Sequence, residues 1–411
     1  MHRTHRQLLR TALPALLLLA ASAIAAELPN PATGKVKFFV DAKSDFDPWT
    51  SNPTSSQQAF MRKHYYRMQT YSPYFDSRLS WYPGAWEYKD SYAIKPDWPV
   101  FDEHPEWILR DADGNMLYIP YACSGGTCPQ FAADVGNPEF RDWWIADARA
   151  KVELGYGGLW VDDVNFEWRI GNGDGDSVRP IDPRTGKQMI LADWRRYFAE
   201  FMEELRDEFP DIEIAHNVNW AAEPGDDPSI LRQIDAADFI NLERGISDSG
   251  ITAGTGKYGF ETFLALIDRV HARGRNVIID DDDDDSVQDR DYDLAFYFLI
   301  NDGGDLLSAD GDRSRMNPDS FWSGYQADLG MALGDRYRWS GLFRRDFSCG
   351  VVLVNQPQQS TIAVDLGAEY TALNGALVES VQLPAASGAV LRGACVDDKI
   401  PNPPQNLKIL D

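Results

Sequence analysis

From residue 36 the chain alternates short apolar, β-branched runs with stretches whose apolar positions recur every three or four residues. VKFFVD (36–41), MQTYSPYF (68–75), FAADVG (131–136), GGLWVDDV (157–164), IEIAHNVNW (212–220), DFINLERG (238–245), NVIIDD (276–281) and DLLSAD (305–310) read as eight strands. Helical periodicity falls between most of them, most clearly in ADWRRYFAEFMEELRDEF and FETFLALIDRVHARG. Alternation of this kind predicts the α/β class and a (β/α)8 TIM barrel. A doubly wound open sheet is the alternative. It more often begins with a Gly-rich first turn, and VDAKSDFDPW has none.

From about Gly341 the pattern changes. GLFRRDFSCGVVLVN, STIAVDL, ALVESVQL and GAVLRGACV are short strands split by turns, with no helical spacing between them. They predict a small C-terminal all-β domain. The expected organisation is a signal peptide over 1–26, the barrel over 27–338, a β-sandwich over 339–396 and a Pro-rich tail over 397–411. The signal peptide rests on Arg3, Arg6 and Arg10 ahead of TALPALLLLAASAIA, which ends in a small-x-small site at Ala23-Ile24-Ala25. A membrane anchor would need a longer apolar run. The chain is therefore expected to be secreted or periplasmic, with no membrane span after cleavage.

Composition sharpens this picture. The net charge is -25. Such a chain repels nucleic acid, so no nucleic-acid partner is expected. Aromatics reach 12%, with 13 Trp and 17 Tyr, and aromatic faces stack well on sugar C–H surfaces. Cys123 and Cys128 in C-S-G-G-T-C, and Cys349 with Cys395, are expected as two disulfides of an oxidising compartment. A zinc site would need a second close Cys or His pair. No metal or cofactor is expected, and the chain is expected to be a monomer.

In a TIM barrel, chemistry collects at the C-terminal ends of the strands. The expected strand ends supply Asp41 and Lys43, then Tyr71, Tyr74 and Asp76, then Asp134, then Asp162 and Asp163. They continue with His216, Asn217 and Asn219, then Glu243 and Arg244, then Asp280 and Asp281, then Asp310. Carboxylates are costly in a dry barrel unless something uses them. Paired carboxylates are what glycosidic bond cleavage needs, one to protonate the leaving oxygen and one to act at the anomeric carbon. No G-x-S-x-G or H-E-x-x-H motif offers a competing chemistry.

Asp162 is assigned to the anomeric centre, with Asp163 in reserve, and Glu243 to general acid/base work. Neighbouring strand residues point to opposite faces, so one of Asp162 and Asp163 should face the cleft while the other holds a loop or an arginine. Asp41, Tyr71, Tyr74, Asp134, His216, Asn217, Asn219, Asp280, Asp281 and Trp81 are the expected substrate contacts. His216 and Asp134 read equally well as structural residues. Trp81 belongs to an aromatic excursion between the second and third expected strands. The aspartate run Asp280–Asp285 lacks the spaced Asp and Gly pattern of a calcium loop, and reads as an acidic rim at the mouth of strand seven. A non-catalytic polysaccharide-binding or surface-assembly protein is the alternative to an enzyme, because a fold does not establish activity.

Several phrases carry a family resemblance. D-V-G-N-P-E-F-R-D-W-W followed by G-G-L-W-V-D-D, the hairpin H-P-E-W-I-L-R-D-A-D-G-N, and G-L-F-R-R-D-F-S-C-G-V-V-L-V-N resemble hypothetical glycosyl hydrolase family fifteen, over most of residues 35 to 395. The resemblance implies a TIM-barrel glycoside hydrolase acting on a poly- or oligosaccharide. More distantly, the strand ends resemble barrel enzymes that cut α-1,4-linked galactosamine polymers. That likeness implies matching roles for Asp162, Asn217 and Glu243, and an amino-sugar substrate. Here Asp162 is doubled by Asp163 and Asn217 by Asn219.

Overall fold

Eight parallel strands close on themselves in the computed structural model, which describes residues 32–220, 225–243, 245–246, 250–280, 287–308 and 317–396. They are β1 (Phe38–Asp41), β2 (Tyr65–Thr70), β3 (Ala85–Asp90), β4 (Gly158–Asp162), β5 (Glu213–Val218), β6 (Phe239–Leu242), β7 (Asn276–Asp280) and β8 (Leu306–Ser308). Each strand pairs with its neighbour in the chain, and Phe38 against Leu307 closes the ring. This is the expected TIM barrel. The expected signal peptide and tail, Arg244, Asp281–Asp285 and Asp310 lie outside the described residues.

The third strand differs from the one read in the sequence. Of FAADVG only Phe131–Ala132 pairs, in a two-residue ladder with Ala93–Ile94. The barrel strand is AWEYKD, whose charges hide its character. Trp86 and Tyr88 face the barrel interior, while Glu87 and Lys89 face the surrounding layer. There Glu87 accepts the Ser72 N–H at 2.9 Å, and Lys89 donates to Asp147 at 2.7 Å. A charged residue with a partner can sit where an apolar one was expected.

Six helices longer than two turns wrap the barrel among the described residues: α1 (Ser55–His64), α2 (Pro138–Leu154), α3 (Leu191–Glu208), α4 (Pro228–Ala236), α5 (Phe260–Ala272) and α6 (Val287–Ile300). Only a short 3-10 turn, Asp76–Arg78, stands between β2 and β3. Helix α3 shows why the pattern was legible. Trp194, Tyr197, Phe198, Phe201, Met202 and Leu205 repeat every three or four residues, and all are buried. Helix α2 starts at Asn137, whose side chain accepts the Glu139 N–H at 2.9 Å, with Pro138 in the first turn. It stops at Gly155, whose φ of 111° suits only glycine.

The C-terminal strands are β9 (Tyr337–Trp339), β10 (Leu342–Phe347), β11 (Gly350–Asn355), β12 (Ile362–Ala372), β13 (Leu377–Leu383) and β14 (Ser387–Arg392). They form one antiparallel sheet in the order β9-β10-β11-β14-β12-β13, separate from the barrel sheet. Phe343, Phe347, Val352, Val354 and Val390 join the main core. Leu342, Val351, Leu353 and Leu391 join Val364, Leu366 and Leu383 in a second apolar cluster. The first of these faces lies on α6. A Cβ at Gly388 would come within 2.4 Å of Ala295, so the sheet approaches the helix where only glycine fits. Arg345 on β10 is buried and donates to the carbonyls of Phe298, Leu299 and Asn301 at 3.2, 3.4 and 2.8 Å. These are open acceptors at the end of α6, and a cation there also suits the helix dipole. Both expected disulfides form, Cys123–Cys128 and Cys349–Cys395.

Candidate active site

Inward-facing side chains stack in layers along the barrel axis. Nearest the N-terminal ends of the strands, Glu213 meets Arg67 and Trp86. Above it lies an apolar layer of Phe39, Trp86, Trp160, Ala215, Phe239, Ile278 and Leu306. Two residues further along each strand the period-2 alternation returns to the inside. On strand after strand that position is polar: Asp41, Gln69, Tyr88, Asp162, Asn217, Asn241, Asp280 and Ser308. All of these except Asn241 line a cavity of about 290 Å3 at the barrel mouth. Asp90, Asp163, Arg169 and Glu243 reach it from the strand ends and the β4–α3 loop.

At its centre one amide joins two acids. Asn217 Nδ2 donates to Asp162 Oδ1 at 2.8 Å and to Glu243 Oε2 at 3.1 Å. Tyr88 donates its hydroxyl to Asp162 Oδ2 at 2.7 Å, and the Asp163 N–H donates to Asp162 Oδ1 at 2.8 Å. Both oxygens of Asp162 are therefore held in place. Two bonds from one nitrogen keep the Asp162 and Glu243 oxygens within about 6 Å of each other. Trp160 and Phe39 form the apolar floor, with Tyr88 stacked against Trp160 at 5.6 Å.

Asp163 occupies a left-handed turn with φ of 57° and is buried. It accepts from Arg169 and, at 3.1 Å, from Asn165. Burial and then the charge of Asp162 push its carboxyl up to about 7, against the lowering influence of Arg169. Asp90 accepts the N–H groups of Tyr92 and Ala93 at 2.9 Å each. Burial, and next the charges of Asp163 and Asp162, still hold its carboxyl well above the usual range. Burial and mutual charge thus set both acids apart from ordinary surface carboxylates.

The structure gathers Asp41, Asp162, Asp163, Asn217, Glu243 and Asp280 around this cavity. Asp41 is paired there with Lys43 at 2.5 Å. Other candidates lie elsewhere. His216 sits between Ala215 and Asn217, so its ring points away from the barrel interior; it is fully buried, and burial lowers its pKa to about 3. Asp134 follows the short ladder, not a barrel strand, and is bound by Arg184 at 3.0 Å. Trp81 precedes β3 at the opposite end of the barrel, where Arg62 of α1 donates to its carbonyl. Tyr71 and Tyr74 stack on each other at 5.1 Å, and the Tyr74 hydroxyl binds Lys43 O and Asp47, so neither lines the cavity. Asn219 is exposed beyond the end of β5, where its N–H donates to Asn165. Asp281 lies outside the described residues.

Tyr88 and Asp90 were missed with their strand. Arg169, Tyr121 and Gln130 come from loops, which carry no periodic signal. The Cys123–Cys128 pair marks the loop that brings Tyr121 and Gln130 to the rim. Among the described residues, no group of three or more His, Cys, Asp or Glu side chains is arranged to hold a metal ion.

Comparison with known proteins adds a family. The profile of hypothetical glycosyl hydrolase family 15 matches residues 67–351. No curated protein matches the chain. Among solved structures, the glycoside hydrolase domain of PelA from Pseudomonas aeruginosa is similar at 12% identity, covering 68% of this chain and 95% of that one, with a TM-score of 0.41. An alpha-amylase from Lactobacillus plantarum shares 12% identity over 88% of this chain and 99% of its own, at 0.44. Eubacterium rectale Amy13B shares 9% over 90% and 97%, at 0.47.

Proposed function

The chain belongs to hypothetical glycosyl hydrolase family 15 and is a glycoside hydrolase, and on that premise we propose that it is exported and cleaves a poly- or oligosaccharide through Asp162 and Glu243. Glu243 gives its proton to the glycosidic oxygen as the bond to the anomeric carbon breaks. Asp162 attacks that carbon and forms a glycosyl ester. Water then attacks the ester, with Glu243 taking its proton. The observation that carries this reading is the shared amide, Asn217 Nδ2, which faces both carboxylates. An oxygen separation within about 6 Å favours this retaining course over the inverting one, which needs roughly 6.5–9.5 Å for an intervening water.

Charge supports a substrate class. Among the described residues, six carboxylates line the cavity, with Lys43 and Arg169 as the cations among them. An acid-rich lining suits a cationic sugar, so an amino-sugar polymer fits best. Export is supported by the two disulfides, which persist in oxidising compartments. Among the described residues no helix is long and apolar enough to cross a membrane.

The test is a screen of deacetylated and acetylated amino-sugar polymers beside neutral glucans, with wild type, Asp162→Asn and Glu243→Gln. Turnover of one polymer by wild type alone is the expected result. Wild-type rates in Glu243→Gln would overturn the acid assignment, and saccharide binding without turnover by any form would favour a binding protein. High salt should slow turnover of a cationic polymer and spare a neutral one. Equal salt effects would remove the amino-sugar preference.

A further inference from the structure

Asn217 lines the cavity, whereas Asn241, on the next strand round, is fully buried and lies behind it. Asn241 Nδ2 nevertheless donates to Asn217 Oδ1 at 2.7 Å and to Asp280 Oδ2 at 3.3 Å. The two ends of an amide have nearly the same shape and opposite polarity, so its direction is set by what it meets. An ionised carboxylate only accepts. In its ionised state Asp280 therefore requires Asn241 to present its NH2 group. The second hydrogen of that group meets Asn217, which must answer with its oxygen. The Asn217 NH2 group is then left facing Asp162 and Glu243.

This matters most when Glu243 carries its proton. A protonated acid can donate, and an Asn217 restrained by Asp162 alone, without Asn241 behind it, turns more readily to offer it an oxygen. The proton would then be spent on an amide instead of pointing at the glycosidic oxygen. We infer that Asp280 and Asn241 lock the polarity of Asn217, so that Asn217 stays a donor to both acids throughout the reaction. Asn241 is a positioning residue, and Asp280 sets the direction of the relay. The inference rests on the reading of Asp162 and Glu243 as the catalytic pair. The buried oxygen of Asn241 meets no hydrogen-bond partner. An unbonded buried amide oxygen is unfavourable, so packing alone would be better served by an apolar residue.

The full chain labelled with 13C at Asp and Glu carboxyl carbons tests this without substrate. The Glu243 signal is identified by its loss in Glu243→Gln, and its titration is compared in wild type, Asn241→Leu and Asn241→Val. Loss of Asn241 removes one of the two restraints on Asn217, the other being Asp162, and so favours the turned amide that accepts from protonated Glu243. The Glu243 midpoint should therefore rise by about 0.5–1 pH unit, a roughly three- to tenfold change in proton affinity. Circular dichroism melts establish that each variant is folded, and the smaller valine serves where leucine overfills the site. An unmoved midpoint in a folded variant overturns the relay. If Asp162→Asn and Glu243→Gln abolish turnover while the midpoint is unmoved, the relay fails and the catalytic reading stands. If they turn over normally while the midpoint moves, the relay stands and the catalytic reading fails.

Discussion

At the N-terminal end of the barrel, Glu213 accepts from Arg67 through both oxygens at 2.5 and 2.7 Å, and from Trp86 Nε1 at 2.9 Å. At the C-terminal end, six carboxylates share one cavity with Lys43 and Arg169. Glu213 and the cavity acids Asp41, Asp162 and Asp280 all stand on inward positions of the same ring of strands. One end gives its acid a bidentate cation and an extra donor. The other crowds acids together and, besides the Lys43 and Arg169 pairs, fixes Asp162 with a neutral amide and a phenol. An acid with its charge matched holds structure together. Crowded acids destabilise the fold, and such crowding is expected where a reaction uses it.

This contrast can be broken from either end. The largest effect is expected at the mouth. Asp162→Asn or Glu243→Gln should lower kcat by about 100-fold to 10,000-fold with little loss of melting temperature, as measured by polymer turnover and calorimetry. The opposite pattern should appear below. Arg67→Met leaves Glu213 without its cation and should cost about 2 kcal/mol of stability, less than a fully buried pair because both side chains are partly exposed. Denaturant melts would show it, with turnover per folded molecule unchanged. A large turnover loss in Arg67→Met would erase the distinction between the two ends.

A smaller effect concerns pH. Asp163 is pushed up to about 7 by burial and then by Asp162, and Glu87, in the layer outside the barrel, is pushed up to about 7 mainly by burial. Their folded values lie above the ordinary carboxylate range, so the native state holds protons that the unfolded chain has released. Stability from these groups is full below about pH 4 and is lost as pH rises towards 7. Asp163→Asn and Glu87→Gln should each flatten the fall in melting temperature between about pH 4.5 and 7. Asp163→Asn alone should also alter the pH profile of turnover. The smallest effect is expected at the rim. Cys123→Ser with Cys128→Ser loosens the loop that carries Tyr121 and Gln130, and should raise KM by about threefold with kcat unchanged.

Much of this was legible because inward positions alternate. Asp162, Asn217 and Asp280 each stand two residues beyond an apolar inward residue on a run that reads plainly as a strand. Glu243 ends such a run as well. The same rule explains why His216, read equally as a structural residue, lies away from the cavity: beside Asn217 it can only face outward. Tyr88 and Asp90 were illegible because the charges of AWEYKD find partners outside the barrel, Ser72 and Asp147, which lie far from them in sequence. FAADVG reads as a strand because it is apolar, yet only Phe131–Ala132 pairs, in a short ladder separate from the barrel sheet. Arg169 had no signal, since its place depends on the left-handed turn at Asp163.

The contact of Arg345 with the end of α6 bears on how such chains can be reshuffled. Change of sequence character near residue 339 looks like a seam along which a module could be exchanged. The arginine, the glycine packed at Ala295, and the ring contacts Phe260–Phe343 and Phe298–Phe347 all cross that seam. A barrel parted from its sheet would show bare carbonyls and apolar rings to water. Recombination at this point would therefore have to transfer helix and sheet together, so the heritable unit is larger than the visible one.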